Sequence, residues 1–187
     1  MPEMSAPQGS RRSDRELVEA VVHRKDELAF RELYRRHTPR LFVLVARLLA
    51  RGDHEAEDVV QEVWVHAFES LGRFEWNSAF STWLTGIGLN RVRDRIRKYG
   101  RSRESGVETL PDAAVAREPH ETRIDLERAI ARLPDSQRLV LVLHDVEGMK
   151  HREISDRLDI PEGTSKTLLS SARQRLRAMM SEKGAQT

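Results

Sequence analysis

The 187-residue chain contains no cysteine. Disulfides, thiol catalysis and cysteine-ligated zinc are thereby excluded, and the composition fits a reducing compartment. Aromatic residues are only 5% and charged residues 33%, a balance suited to helices rather than sheets. No apolar run approaches the roughly 18 residues of a membrane span. The N-terminal "MPEMSAPQGSRRSD" lacks the apolar core of a signal peptide. A cytoplasmic protein with no membrane insertion is expected. Net charge is also scarce: 32 basic residues nearly balance 30 acidic ones, leaving +2. That total conceals clusters, so charge must be read locally. Seven histidines are spread without H-E-x-x-H spacing, and there is no Gly-rich phosphate loop, nucleophile elbow or acid/base pair. No metal, cofactor or catalytic residue is expected.

What is present is helical periodicity. Residues 1–12 have the Pro, Gly and Ser content of a disordered tail. Ser13 and Glu16 form a capping-box signature. A second helix begins near Asp26, and Pro39 either starts a new helix or kinks a longer one. Asp53 is placed to cap the next, which should stop near Gly72. Another runs from about Ser78 through "FSTWLTGIGLNRVRDRIRK"; its apolar positions move to Leu89, Val92 and Ile96, so it either turns a new face to the core or bends, and Gly86 and Gly88, each costing about 1 kcal/mol in a helix, favour a bend. Residues 99–121 lack periodicity and read as a linker. Order resumes with Leu126, Ala129, Ile130 and Leu133 on one face, then a helix capped by Asp135 or Ser136, and two more up to about residue 181, followed by a tail over 182–187. The fold class is all-α: two small helical domains, 13–98 and 122–181, joined by a flexible linker.

Three stretches carry candidate functions. In "DVVQEVW", Asp58, Gln61, Glu62 and Val65 recur at i, i+3, i+4 and i+7 and share a face opposite the apolar one. In "GRFEWNSAFSTW", Phe74 and Trp76 stand on a presumed loop with Asn77 and Ser78, while Phe80 and Trp83 follow the core face. This aromatic cluster adjoins the basic run of Asn90, Arg91, Arg95, Arg97 and Lys98, the combination an unstacked base and its phosphates require. The last two helices form a helix-turn-helix candidate, with Thr164 capping the second and Lys166, Thr167, Ser170, Ser171 and Arg173 facing outward.

The ordered set "AFRELYRRHTPRLF", "EAEDVVQEVWVHAF", "F-x-W-N-S-A-FSTWL", "LPDSQRLVLVLHDVEG" and "EISDRLDIPEGTSKTLL-x-x-ARQRLR" resembles the extracytoplasmic-function group of bacterial sigma-70 factors. The resemblance spans about Asp14 to Arg177. It implies a non-catalytic subunit that recruits core RNA polymerase to promoters, with 13–98 like region 2 and 122–181 like region 4. Asp58, Gln61, Glu62 and Val65 would meet the clamp helices of the β′ subunit, with further contacts to β. Phe74, Trp76, Asn77 and Ser78 would capture a flipped base of the −10 element, and Asn90, Arg91, Arg95, Arg97 and Lys98 would lie on the adjoining DNA. Thr164, Lys166, Thr167, Ser170, Ser171 and Arg173 would read the −35 element. An anti-sigma factor is an implied partner. The chain departs from the family pattern at Gly86 and Leu89, where basic residues are common. It departs again at Lys150, which replaces a capping Ser or Thr, at Ser165, which replaces an apolar residue, and at Leu168 and Ser171, which replace arginines. Fewer DNA contacts from the second domain are therefore expected. A stand-alone helix-turn-helix regulator is the alternative reading, and a nucleic-acid hydrolase a third.

Overall fold

A computed structural model describes residues 12–104 and 121–184. The expected N-terminal tail and most of the expected linker lie outside these residues. The described chain forms α1 (Asp14–Arg24), α2 (Glu27–Leu49), α3 (Asp53–Ser70), α4 (Phe80–Glu104), α5 (Glu121–Ala131), α6 (Asp135–Leu141), α7 (His151–Leu158) and α8 (Glu162–Gly184). A 3-10 turn, Leu71–Arg73, follows α3, and a π-helical turn, Val142–Val146, continues α6.

Local chemistry fixes the first two starts. Glu16 N–H donates to Ser13 Oγ at 3.3 Å and Ser13 N–H donates to Glu16 Oε2 at 2.6 Å, the reciprocal capping box. Ala29 N–H donates to Asp26 Oδ1 at 3.0 Å. Pro39 lies inside α2, which runs through it. Asp53 is the first residue of α3 rather than its cap; Gly52 takes that place at φ 92° and offers no side chain. Asp53 therefore acts only by its charge in the first turn. The expected helix from Ser78 begins at Phe80 and continues to Glu104, through Gly86, Gly88 and the first residues of the expected linker. Gly88 has a packing reason: a Cβ there would stand 3.1 Å from Leu41 Cδ1 on α2. Beyond it the helix turns a new face inward, with Leu89 and Val92 buried. Helices α1–α4 enclose Leu17, Leu33, Leu48, Val59, Val63 and Leu84.

Helices α5–α8 enclose Val140, Leu143, Ile154, Leu169 and Ala172. Leu126 is exposed, unlike its expected partners Ala129, Ile130 and Leu133. Pro134 stands at the cap of α6, so Asp135 and Ser136 are already helical. Thr164 likewise sits in the first turn of α8, which starts at Glu162, and does not cap it. Asp159, at φ 55°, makes the turn after α7. Lys150 gives α7 half a capping box: its N–H donates to Glu153 Oε2 at 2.8 Å. Ser165 is fully buried and its hydroxyl pairs with His151 Nδ1 at 2.9 Å, so the polar group standing in the core has its partner.

The two halves are docked. Arg138 is 3% exposed and donates to the α2 carbonyls of Leu48 (3.0 Å) and Leu49 (3.1 Å), as well as to Leu133 O (2.8 Å). In the reverse direction Arg93 of α4 donates to the carbonyls of Arg157 (2.5 Å) and Leu158 (3.1 Å) at the end of α7. Each arginine thus caps a helix C-terminus of the other half, where carbonyls lack intrahelical donors and the dipole favours a cation. Arg47 pairs with Glu127 at 2.7 Å and Arg40 with Glu147 at 3.0 Å across the same seam.

Candidate partner and nucleic-acid interface

The inward face of α3 buries Ala56, Val59, Val60, Val63, Trp64 and Ala67. Its other face opens onto a concavity of about 510 Å³ lined by Asp58, Gln61, Glu62 and Val65 with His66, Glu69, Arg91 and Arg95. All four residues of the α3 stripe therefore come together. Phe68 extends the stripe: it is 54% exposed, and Val65 is 60% exposed. Phe68 falls three residues after Val65 on the same helical spacing, so continuing the count by one turn would have found it.

The far wall of the concavity belongs to α4. Arg95 pairs there with both Glu55 and Glu62 of α3. Burial pushes the Glu55 carboxyl up, but the Tyr99 hydroxyl and the Arg95 and Arg51 charges outweigh it and hold the group below the ordinary carboxylate range. Burial also works against the Arg95 cation, and the two carboxylates more than restore it. The Arg51 guanidinium lies 4.2 Å from the centre of the Tyr99 ring. Arg91 and Arg95 thus line the concavity with α3, Lys98 follows them exposed on the same helical row, and Asn90 and Arg97 are exposed on another row of α4.

The loop between α3 and α4 holds the aromatic cluster. Phe74 stacks on Trp83 with ring centres 4.8 Å apart and meets Trp76 at 4.6 Å. Phe80 is 2% exposed and belongs to the core, as its spacing predicts, while Phe74, Trp76 and Trp83 are half-buried. Trp76 has φ 59°, in the left-handed region. For a bulky residue that conformation is held only against strain, which concentrates at functional sites. Asn77 and Ser78 are exposed beside it; Asn77 Nδ2 donates to Glu75 Oε2 at 3.1 Å.

On α8, Thr164, Lys166, Thr167, Ser170 and Arg173 are exposed and Ser171 is half-buried. Two of the cations already have partners: Lys166 pairs with Glu162 at 2.8 Å, and Arg173 makes two bonds to Asp145, at 3.0 and 2.5 Å. The Arg173 hydrogen bond holds the Asp145 carboxyl below its usual range against the opposing effect of burial. Among the described residues no group of three or more His, Asp or Glu side chains is placed to hold a metal ion, and no helix is long and apolar enough to cross a membrane.

The family described as Sigma-70 region 2 matches residues 33–102, and Sigma-70, region 4, matches residues 123–176. The sequence is 35% identical over 169 residues to the ECF RNA polymerase sigma factor SigM of Mycobacterium tuberculosis, covering 90% of this chain and 85% of that one. It is 33% identical to the ECF RNA polymerase sigma factor SigW of Bacillus subtilis, covering 85% and 92%. The fold superposes on the sigma factor RpoE of Bartonella quintana, solved in complex with the anti-sigma factor NepR. The TM-score is 0.66 at 25% identity, over 81% of this chain and 96% of that one. The helix order and the two matched regions in sequence carry one conclusion: the chain belongs to the extracytoplasmic-function group of RNA polymerase sigma factors, alternative subunits that direct transcription initiation without catalysing a reaction of their own.

Proposed function

We propose that this sigma factor works in the cytoplasm and meets the β′ clamp helices of core polymerase through Asp58, Gln61, Glu62 and Val65, with further contacts to the β subunit. The observation that carries this reading is the open α3 face, where these four residues line one concavity and Val65 stands more than half exposed. A mixed polar and apolar surface suits a subunit that binds and later leaves. Residues 13–98 act as the −10 module: Phe74 and Trp76 receive an unpaired base, Asn77 and Ser78 contact it, and Asn90, Arg91, Arg97 and Lys98 hold the adjoining phosphates, with Arg95 in the same basic run. Residues 122–181 act as the −35 module, reading DNA through Thr164, Lys166, Thr167, Ser170, Ser171 and Arg173. With Lys166 and Arg173 already paired to carboxylates, this module contributes less phosphate binding than the first. An anti-sigma factor is a partner by analogy with the RpoE–NepR complex.

In vitro transcription with core polymerase on a fragmented genomic library tests this reading. Discrete start sites sharing upstream elements are expected. Tight binding of the purified chain to one duplex, with no transcription in the presence of core, would instead identify a stand-alone regulator.

A further inference from the structure

Arg95 occupies a place that the −10 reading does not explain. It belongs to the basic run of α4, yet its guanidinium is turned away from the outer face and bound by two carboxylates of α3. Its side chain is 19% exposed and Glu55 is 18% exposed, whereas Glu62 is 48% exposed. The outer of the two carboxylates is therefore one of the residues assigned to polymerase docking, and a partner can reach it. On α4, Arg91, Arg95 and Lys98 recur at i, i+4 and i+7, so they share one helical row. With Arg95 held back, that row offers DNA two cations in place of three.

We propose that Arg95 is an exchange residue: a basic side chain of the docking partner takes Glu62, and Arg95 swings out to a DNA phosphate beside Arg91 and Lys98. The proposal rests on the assignment of Glu62 to the polymerase face. The exchange leaves no carboxylate orphaned. Glu62 gains the partner's cation. Glu55 keeps the Tyr99 hydroxyl and the Arg51 charge, both of which already stabilise its anion. Arg95, left with Glu55 alone and lying between two like charges on its row, finds in phosphate the anion it lost. Docking on one wall of the concavity thus raises the positive charge that the other wall presents to DNA, and polymerase binding and DNA binding become energetically linked.

The test uses the full chain and a labelled non-specific duplex, with affinity followed across a salt series. Glu62→Gln removes the outer of the two carboxylates that hold Arg95, so the plot of log affinity against log salt should steepen by about 0.9, one extra phosphate contact. Arg95→Met with Glu62→Gln should show no such gain, since methionine keeps the buried stem but has no cation. Glu57→Gln, which removes an equal charge from the exposed side of α3, should leave the slope at the parental value. An unchanged slope in Glu62→Gln overturns the exchange. So does a gain that survives Arg95→Met, or one that Glu57→Gln reproduces, because either would show a general field effect. Thermal melts of each variant confirm that the fold is retained. Binding of core polymerase to Glu62→Gln is measured separately: undiminished affinity refutes the docking assignment, while the slope in the free chain still reports whether Glu62 restrains Arg95.

Discussion

Replacing Arg138 by methionine should undock the two halves of the protein before either unfolds. Methionine preserves most of the stem volume and removes every donor. Arg138 reaches Leu48 O and Leu49 O on α2, Leu133 O in its own half, and Asp135. A hydrogen bond to a charged group contributes about 1.5–3 kcal/mol, and an acceptor left buried without a donor costs about 1–3 kcal/mol. Against this, burial already works against the guanidinium and holds its pKa below the usual arginine value, so removing the cation recovers part of its desolvation cost. The net loss should be about 3 kcal/mol, divided between the α2 carbonyls across the seam and the contacts within the second half. All three tryptophans, Trp64, Trp76 and Trp83, lie in the first half. Urea unfolding followed by tryptophan fluorescence therefore reports that half, and far-UV circular dichroism reports both. The parent should show coincident transitions. In Arg138→Met the dichroism transition should move to lower urea by about 1–2 M for an m-value of about 2 kcal/mol/M, while the fluorescence midpoint moves less. Transitions that stay coincident, or a midpoint that does not move, would refute the view that Arg138 joins the halves.

Three further outcomes follow from the geometry. Gln61→Ala combined with Glu62→Ala should weaken binding to core polymerase while leaving the melting temperature nearly unchanged, because both side chains are exposed; equal binding in a pull-down titration would return the α3 face to solvent. Trp76→Ala should slow open-complex formation on duplex promoter by an amount equivalent to about 1–3 kcal/mol of lost base stacking, with recovery on a pre-melted template; permanganate reactivity measures both, and normal opening would refute the loop assignment. His151 is held below its ordinary pKa by burial first and by His144 and Lys166 next, so the unfolded chain binds the proton more readily. Its stabilising effect is full above the unfolded value near pH 6.5 and is lost as pH falls through the lower folded value; His151→Asn should flatten that acid dependence in thermal melts, and an unchanged profile would dismiss this site as its source.

The readings that succeeded from sequence rest on interactions within one turn of chain. Ser13 with Glu16 is set by residues three apart and forms as expected, and the second helix starts beside Asp26 as its spacing predicts, with Ala29 N–H donating to the Asp26 carboxylate. Asp53 and Thr164 were misplaced by one to three residues, because the point at which a chain enters a helix depends on where the preceding turn must go, as Gly52 at φ 92° illustrates. The two glycines of α4 read as a cost and a bend, yet their reason lies elsewhere in the fold. Gly88 admits Leu41, and a Cβ on Gly86 would stand 3.0 Å from Arg157 Nη1 of the other half. The chain's departure from the family at Gly86 is thus compatible with a close approach of α7 to α4. Arg138 gives no local signal, since Asp135 three residues earlier makes it look like an ordinary surface pair.

Arg95 shows the limit of reading charge along a chain. From Asn90 to Arg103 the sequence offers seven cations against one acid, Asp94, and local density of this kind is a sound mark of phosphate binding. The neighbours that decide the state of Arg95 are Glu55 and Glu62, 40 and 33 residues upstream, carried to it by the packing of α3 on α4. A count along the chain weighs the cations that can meet DNA. It misses the anions that helix packing sets against them, and those anions determine which cations are free to do so before a partner arrives.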